Sequence, residues 1–496
     1  KASCPILLSN GNCVATGDAD NGWHWARWED PFPKPCYLFA AVAGSFHVAR
    51  ERYRTGSGRE IGLELYVAER DRDACEQALQ SLQKAMAWDE KVYGREYDLD
   101  RYLIVATDSF NMGAMENKGL NIFNSKYVLA SPETATDADY QGIESVIAHE
   151  YFHNWTGNRV TLRDWFQLSL KEGLTVFRDQ EFSADMNSRG VQRIGDVRRL
   201  RAAQFAEDAS ALAHPVRPES YKEINNFYTA TVYEKGAEVI RMMHTLLGVE
   251  GFRAGTDLYF QRHDGQAVRI EELLDALATA SGRDLSAFLR WYSQAGTPRL
   301  KADGHFAAQS GRYHLRLQQH TPATPGQEEK LPVPIPVRLA FFHEDGIPAR
   351  LPDGQEETVL LLEEASGEWT FGPFAKPVIP SLLRGFSAPV LLERGDAEAA
   401  DRFLAQYDDD PFNRWDSLQR LAQKTLLASI ANPGRSVLSP ELQTAFAAAL
   451  SWPLDDPAFS AELLSLPTEE SIGQQMDPID VDGIHTQREA LRRALG

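Results

Sequence analysis

The sequence has little cysteine and no long apolar run, and these absences exclude several classes of protein. Only four of its 496 residues are cysteines, none in a C-x-x-C pair, which indicates reduced thiols rather than a disulfide framework. No stretch reaches the roughly 18 apolar residues of a membrane helix, and the first residues lack the apolar run of a signal peptide. We therefore expect a cytoplasmic protein without membrane association, although a secreted protein whose signal has been removed stays possible.

Basic residues are also in the minority. The chain has 51 Lys and Arg against 71 Asp and Glu, a net charge of −20. This excess of negative charge argues against a nucleic-acid partner, because such proteins present a basic surface. A chain of this length predicts about three or four domains.

Alternating apolar residues and turn signals divide the chain into β-rich and helical segments. Trp23, Trp25 and Trp28 alternate loosely near the start and predict the core of a β domain. Glycine- and proline-bounded strands follow Gly296-Thr297-Pro298, and helical spacing begins near Asp396. The predicted domains are the end of an N-terminal β domain, a catalytic domain, a β-sandwich and the start of a C-terminal helical domain, at 1–45, 46–296, 297–398 and 399–496.

The pattern H-E-x-x-H at His149 to His153 is the strongest chemical signal. Two histidines four residues apart project from one face of a helix and can bind one metal ion, while Glu150 lies about 100° round that helix. Imidazole suits zinc, and Glu172 on a second helix can supply a third ligand. Three protein ligands leave a position for water, which is typical of a catalytic rather than a structural zinc site.

This pattern also occurs by chance on amphipathic helices, so its surroundings matter. Asp137 and Asp139 can cap a helix that carries the histidines, and Gly157-Asn158 can end it. Apolar spacing over 165–182 predicts the second helix, which would return Glu172 to the histidines.

Two other segments are ambiguous from their residues alone. Phe110 to Gly119 contains two glycines around a short extended run, so it predicts either an edge strand that pairs with a peptide beside Glu116 or an ordinary turn. Tyr233 opens a helix, where a tyrosine more often packs on the core. Physical reasoning alone favours the turn and the core tyrosine.

A resemblance to a known family resolves the ambiguity at the segment around Glu116 and at Tyr233. The run Gly113-Ala114-Met115-Glu116-Asn117, followed by the histidine pattern and Glu172, resembles the aminopeptidase N family of zinc metallopeptidases, of the gluzincin type. The resemblance implies a multidomain α+β protein, in which a thermolysin-like peptidase domain is flanked by the β and helical domains given above.

The resemblance also implies roles for individual residues. Glu150 would act as the general base and Tyr233 would donate a hydrogen bond to the oxyanion, while Glu116 would bind the α-amino group of the substrate. One Zn²⁺ per chain would be held by His149, His153 and Glu172. The substrate would be lined by Gly113, Ala114, Met115, Asn117, Met112 and Tyr228. Asn154 and Asp179 are expected to support the metal ligands.

The resulting prediction is a zinc aminopeptidase of the alanyl type, a monomer acting on peptides with a free α-amino group. Family members carry a complete N-terminal β domain and a long C-terminal helical domain, so we expect this chain to be a fragment. Three alternatives stay open: a zinc endopeptidase, an epoxide-hydrolysing relative, and an inactive zinc-binding fragment.

Overall fold

The computed structural model describes residues 3–434, 436–451 and 455–496, which form two compact units. The first comprises the chain up to Met186 together with Arg217–Ile240 and Leu247–Ser286. The second comprises Asn187–Val216, Arg241–Leu246 and the chain from Ala287. Among the helices of the described ranges, none is both long enough and apolar enough to cross a bilayer.

Strands are concentrated in the first 130 residues and in the region between 299 and 394. They are β1 (Ile6–Ser9), β2 (Asn12–Ala19), β3 (Trp23–Glu29), β4 (Ala41–Gly44), β5 (His47–Arg54), β6 (Glu60–Val67), β7 (Arg101–Thr107), β8 (Ala114–Met115), β9 (Leu120–Asn124), β10 (Thr161–Leu162), β11 (Ala267–Val268), β12 (Arg299–Ala307), β13 (Arg312–His320), β14 (Ile335–His343), β15 (Pro348–Ala349), β16 (Glu357–Leu362), β17 (Ser366–Phe371), β18 (Val378–Leu382) and β19 (Leu391–Arg394).

Helices fill the middle and the end of the chain. They are α1 (Glu76–Tyr93), α2 (Asp137–Phe152), α3 (Leu168–Met186), α4 (Arg189–Arg199), α5 (Ala206–Asp208), α6 (Gly236–His263), α7 (Ile270–Ser281), α8 (Leu289–Ser293), α9 (Ala397–Tyr407), α10 (Pro411–Ala431), α11 (Pro440–Leu450), α12 (Pro457–Leu464), α13 (Glu469–Gly473) and α14 (Val481–Leu495).

The first unit is built on a five-stranded sheet with the order β5-β6-β7-β9-β8. Strands β6, β7 and β9 run parallel, whereas β5 and β8 are antiparallel strands at the two edges. A cluster of buried side chains from the sheet and from the first strands forms one core, with Leu8, Ala40, Tyr66, Leu103, Val105 and Leu120. The pairs β1–β4 and β2–β3 form separate antiparallel ribbons.

Helices α1, α2 and α3 pack against one another in the same unit through aromatic side chains and one buried ion pair. The Trp88 ring lies 5.1 Å from Phe152 and 5.8 Å from Phe182, between ring centroids. Arg178 of α3 binds Asp89 of α1 and donates to the backbone oxygen of Phe152, which ends α2. These contacts fix α2 against α3, the two helices that carry the histidines and Glu172.

The second unit contains a β-sandwich followed by helices. One of its two four-stranded sheets has the order β17-β13-β12-β19. In the other sheet, β14 pairs with β15, β16 and β18. Helices α9 to α14 share a second buried core with α4, in which Trp415, Leu418, Leu426 and Phe446 are members.

The segment from Phe110 to Gly119, for which the sequence left a strand or a turn open, contains the edge strand β8. Helix α1 ends at the C-cap Gly94, which has a left-handed φ of 64°. Strand β6 is buried along most of its length, because neighbouring strands and layers cover both faces.

The prediction of a tryptophan core near the start is wrong for two of its three members. Trp23 and Trp25 are 53% and 46% exposed. Only Trp28 packs against the buried cluster around Leu8. In β3 the first two rings lie on the outward side of a two-stranded ribbon, and a period of two does not tell which face is covered.

Gly173 in α3 lies so close to Gly236 that a side chain would not fit there. A Cβ at Gly173 would lie 2.8 Å from the carbonyl carbon of Gly236 and 2.9 Å from Ser169 Oγ. We expect Gly173→Ala to lower the free energy of unfolding by about 1–3 kcal/mol, because backbone atoms must move apart. Urea unfolding followed by circular dichroism measures this.

Gly195 in α4 is the matched control. A Cβ there meets no described atom within 4 Å. Gly195→Ala should be neutral or stabilising by up to about 1 kcal/mol, since alanine favours the helix. Equal losses in both variants would contradict the packing argument.

Candidate active site

Helix α2 places both histidines at its carboxyl end. His149 lies in its last turn and His153 is the C-cap. The helix begins with a capping box in which Thr136 is the N-cap and Asp139 reaches back to it, so the predicted cap at Asp137 is wrong. The predicted end at Gly157-Asn158 is also several residues late. The backbone turns after His153 because Asn158 N–H donates to the His153 oxygen.

The ligand atoms of His149, His153 and Glu172 converge on one point. The two Nε2 atoms lie 3.0 Å apart. Glu172 Oε2 is 3.4 Å from His149 Nε2 and 3.3 Å from His153 Nε2. One ligand atom from each residue lies within 4.8 Å of the others, which is the spacing of donors around a single ion.

Hydrogen bonds at Nδ1 orient both histidine rings. His149 Nδ1 lies 2.6 Å from Asp179 Oδ2, and His153 Nδ1 lies 2.9 Å from the backbone oxygen of Thr156. Both partners are acceptors, so each Nδ1 carries a proton, and Nε2 is the nitrogen that would face a bound metal ion. Asp179 therefore has the predicted contact.

Asn154 does not support the ligands in the predicted way. Its Oδ1 accepts a hydrogen bond from Lys118 Nζ at 2.8 Å, and Lys118 also binds Asp98. Asn154 lies in the turn after the C-cap of α2, where its side chain is directed to Lys118. Thr156, which sequence reasoning missed, takes this position through its backbone oxygen, for which side-chain identity gives no signal.

The donor set fits a metal ion. Glu172 Oε2 is buried and makes no hydrogen bond with the described residues, although it faces two imidazole nitrogens. Burial opposes a charge on His149, yet Asp179 and the nearby Glu172 outweigh it and raise the pKa of His149 well above its usual value. The surroundings thus favour positive charge at this point, and two nitrogens with one carboxylate oxygen are ligands that a divalent ion of the zinc type accepts.

Glu150 lies beside the convergent atoms without being one of them. Its side chain is buried and Oε2 has no hydrogen-bond partner in the described chain. Burial raises the pKa of Glu150 to about 8, with Glu116 and Glu172 adding to the increase. A cation at the neighbouring ligand atoms would lower that pKa again and leave a carboxylate able to accept a proton.

Glu116 comes from the edge of the sheet, directly after β8. It is buried, and one of its oxygens lies within 4.8 Å of ligand atoms of Glu150 and His153. Burial alone would raise its pKa, but the charges of Lys171 and His153 outweigh burial and lower it. Asn158 Nδ2 donates to the Glu116 backbone oxygen at 3.0 Å and fixes this stretch of chain.

Tyr233 lies in a π-helical segment, Thr231–Lys235, that leads into α6. Ser169 Oγ donates to the backbone oxygen of Val232 at 2.8 Å, and the close approach of Gly173 to Gly236 holds this segment against α3. Tyr228 stands next to it, with 6.2 Å between ring centroids. Burial and Glu172 raise the pKa of Tyr233 well above its usual value, so the phenol keeps its proton.

The remaining predicted substrate residues lie along β8 and its flanks. Met112 is 54% exposed, Gly113, Ala114 and Met115 are half-buried, and Asn117 is buried. Asn117 Nδ2 donates to the backbone oxygen of Leu38 at 3.3 Å, so it supports the segment that precedes β4. Its side chain thus has a structural contact in addition to any role towards a peptide.

Lys171 is the site residue that the sequence did not indicate. It directly precedes Glu172 in α3, and its ammonium contacts both Glu116 and Glu172. A lysine next to a metal ligand has no periodicity or motif that separates it from a surface lysine.

Sequence comparison divides the chain into three matched regions. Residues 77–292 match the Peptidase family M1 domain. Residues 296–395 match DUF3458, a domain of unknown function with an Ig-like fold, and residues 398–496 match DUF3458_C, described as ARM repeats. These descriptions agree with the β-sandwich and the helices of the second unit.

Individual relatives are similar over nearly the whole chain. Aminopeptidase N of Escherichia coli is 52% identical over 500 residues, covering 100% of this chain and 58% of that protein. Aminopeptidase N of Caulobacter vibrioides is 52% identical, covering 99% and 56%. A crystal structure of Legionella pneumophila aminopeptidase A in complex with aspartic acid superposes with a TM-score of 0.89 at 32% identity, covering 99% of this chain and 55% of that one. The chain thus spans just over half the length of these relatives.

The contact between Asp179 and His149 predicts the effect of a substitution on metal affinity. Asp179→Asn should weaken binding of a divalent metal by about 10–100-fold. A neutral amide holds the His149 ring in its orientation less firmly than the carboxylate does, and it stabilises positive charge on the metal-bound ring less. Competition with a chromogenic chelator measures the dissociation constant.

Asp185→Asn on the same helix is the control. Asp185 accepts a hydrogen bond from Trp88 Nε1 at 2.8 Å rather than contacting a histidine of the site. Its substitution should leave metal affinity unchanged. Similar weakening in both variants would show that the loss arises from α3 as a whole.

Proposed function

We propose that this chain, which belongs to peptidase family M1, provides the catalytic site of a zinc-dependent aminopeptidase that hydrolyses the first peptide bond of peptides with a free N-terminus. One observation supports this most directly. The convergent atoms of His149, His153 and Glu172 are bordered by two further buried carboxylates, Glu150 and Glu116. A metal-binding set, a base and an anchor for an ammonium group are the parts that this reaction needs.

Zinc is the proposed ion because two imidazoles and one carboxylate form a donor set of open catalytic zinc sites. His149, His153 and Glu172 would hold it. When bound, zinc acts as a Lewis acid that makes water a stronger acid and polarises a carbonyl group.

Glu150 is proposed to move the protons. Its buried carboxylate, in an environment that raises its pKa, can take a proton from water and then give it to the leaving amine. The absence of a hydrogen-bond partner for Oε2 within the described residues supports this, because an oxygen already occupied by a protein donor would be a poor base.

Tyr233 is proposed to stabilise the oxyanion. A phenol whose pKa is raised by burial stays protonated at neutral pH and remains a hydrogen-bond donor. Such a donor lowers the barrier only as far as it binds the transition state more strongly than the substrate.

Glu116 is proposed to bind the substrate α-ammonium. An ionised carboxylate at a fixed distance from the metal ligands distinguishes a terminal ammonium from an internal amide, because a desolvated ion pair is far stronger than a neutral contact. Strand β8 is the last strand of its sheet, so its outer edge can pair with an extended peptide. Gly113, Ala114, Met115 and Asn117 would line that peptide, with Met112 and Tyr228 near its first side chain.

We also propose an alanyl-type preference, a monomeric state and a cytoplasmic location. The free thiols of Cys4, Cys13, Cys36 and Cys75 support a reducing compartment. A flexible methionine such as Met112, near the first side chain of the peptide, is compatible with a small residue there and adapts to others.

The role of Glu150 predicts that catalysis and metal binding can be separated. Glu150→Gln should lower kcat by about 10²–10⁴-fold while zinc stays bound, because the amide cannot accept the proton. His149→Ala should lose both zinc and turnover. Arylamide hydrolysis and zinc content by atomic absorption measure the two quantities.

Glu144→Gln is the control on the same helix, where Glu144 binds Lys84 at 2.7 Å. It should keep turnover and zinc. A Glu150→Gln protein without zinc would contradict the proposed division of roles.

The aminopeptidase proposal itself is tested with an alanyl arylamide and its N-acetylated form, each with and without a zinc chelator. Only the free-amine compound should be cleaved, and the chelator should abolish cleavage. In Glu116→Gln, kcat/KM for the free amine should fall by about tenfold or more, the value of a lost charged hydrogen bond. Equal cleavage of both compounds by the unsubstituted chain would indicate an endopeptidase site instead.

A further inference from the structure

Lys171 joins two carboxylates to which we have assigned different roles. Its Nζ lies 2.6 Å from Glu116 Oε1 and 2.5 Å from Glu172 Oε1, and its side chain is only 3% exposed. We propose that Lys171 is a positioning residue that fixes the distance between the amine anchor and the metal ligands, and thereby the selectivity for a free N-terminus. This inference rests on the proposed function.

The contact with Glu172 assigns its two oxygens to different partners. Oε1 accepts the hydrogen bond from Lys171, whereas Oε2 faces the Nε2 atoms of both histidines. Lys171 therefore holds the carboxylate so that one oxygen points at the metal position. A carboxylate without this partner could rotate, because a carboxylate has two equivalent oxygens.

The contact with Glu116 holds the second carboxylate relative to the first. Glu116 lies at the edge of the sheet and Glu172 lies on α3, so they belong to elements that are far apart in sequence. Because the Lys171 ammonium binds both carboxylates, it connects the edge of the sheet to α3. Because both hydrogen bonds involve charged groups in a buried place, each is stronger than a neutral bond.

The residues around Lys171 leave one path for its side chain. Gly157 has a φ of +144°, and a Cβ there would lie 3.4 Å from Lys171 Cδ and 3.0 Å from His153 Nδ1. On another side the ammonium lies 5.9 Å from the centre of the Tyr37 ring, whose negative face favours a cation. The side chain is thus confined to the path that ends between the two carboxylates.

Charge explains why a lysine suits this place. Glu116, Glu150 and Glu172 are three buried carboxylates around one small space. Removing the ammonium would leave Glu116 facing Glu172 without a shared cation, and like charges in a medium of low dielectric constant separate. Glu116 would then no longer lie at the distance at which it selects an α-ammonium.

The test compares the binding of alanine hydroxamate with that of propanohydroxamate, which has the same metal-binding group without the amine. The unsubstituted chain should bind the amine compound more tightly. Lys171→Met, which keeps the length and loses the charge, should reduce the ratio of the two dissociation constants by about tenfold or more. Both compounds are compared on protein saturated with zinc, because loss of the contact with Glu172 is also expected to weaken zinc binding and would affect the two compounds equally. Calorimetry of the zinc-loaded chain measures both constants without requiring turnover.

Two further variants show whether Lys171 acts through Glu116. In a Glu116→Gln background, adding Lys171→Met should change the ratio no further, because the group being positioned is already lost. Lys171→Gln, whose neutral amide replaces the ammonium, should also reduce the ratio, and it is the variant measured if Lys171→Met does not fold.

Lys118→Met is the matched control, since Lys118 is an equally buried lysine that binds Asp98 rather than the site carboxylates. It should lower the melting temperature without changing the ratio. An unchanged ratio in folded, zinc-loaded Lys171→Met would overturn the inference, and so would an equal change in Lys118→Met. If the unsubstituted chain binds both hydroxamates alike, the role of Glu116 fails first, and this inference fails with it.

Discussion

The structure of the first unit depends on burying several charges of the same sign in one place. Glu116, Glu150 and Glu172 are almost entirely removed from solvent, and Asp179 adds a fourth carboxylate that contacts His149 at Nδ1. Buried carboxylates repel one another and are poorly solvated, so they persist only where cations and fixed donors compensate them. Lys171 supplies one compensating charge, and a metal ion at the convergent nitrogens of His149 and His153 would supply a further positive charge.

The surrounding elements hold these groups at distances that they would not keep by themselves. Arg178 ties α3 to Asp89 of α1 and to the end of α2, while Gly173 lets the segment with Tyr233 approach α3 closely. These contacts are short and mostly buried, so a small shift in one helix moves several charged groups together. Packing in the unit therefore sets the electrostatics of the site, in addition to stabilising the fold.

The convergence of the two histidines could be predicted from the sequence because a helix repeats every 3.6 residues. That period alone places His149 and His153 on one face, and the structure brings their Nε2 atoms to 3.0 Å. The position of Glu116 required the resemblance, because a glutamate after a two-residue strand has no pattern of its own. The β-sandwich and the final helices were also predictable, since their apolar periods of two and of three to four residues are long and regular.

Other features depend on contacts between distant parts of the chain. Lys171, the backbone oxygen of Thr156 and the close approach of Gly173 to Gly236 follow from three-dimensional packing and leave no local signal. The capping box at Thr136 was readable in principle, but two aspartates next to it compete for the same role. Exposure of Trp23 and Trp25 could not be inferred, because alternation marks two faces without saying which one is covered.

Under the proposed function, an exopeptidase differs from an endopeptidase in the distance between the Glu116 carboxylate and the metal ligands. Both would use the same metal ligands and the same base, and they would differ in whether a carboxylate stands where the chain of an internal peptide must pass. Glu116 has an oxygen within 4.8 Å of ligand atoms of Glu150 and His153, so the proposed amine anchor lies next to the proposed base. An ammonium at that point gains an ion pair, whereas an uncharged amide desolvates the carboxylate without compensation. Under the proposed function, selection for a free N-terminus would follow from the cost of the wrong substrate as much as from attraction of the right one.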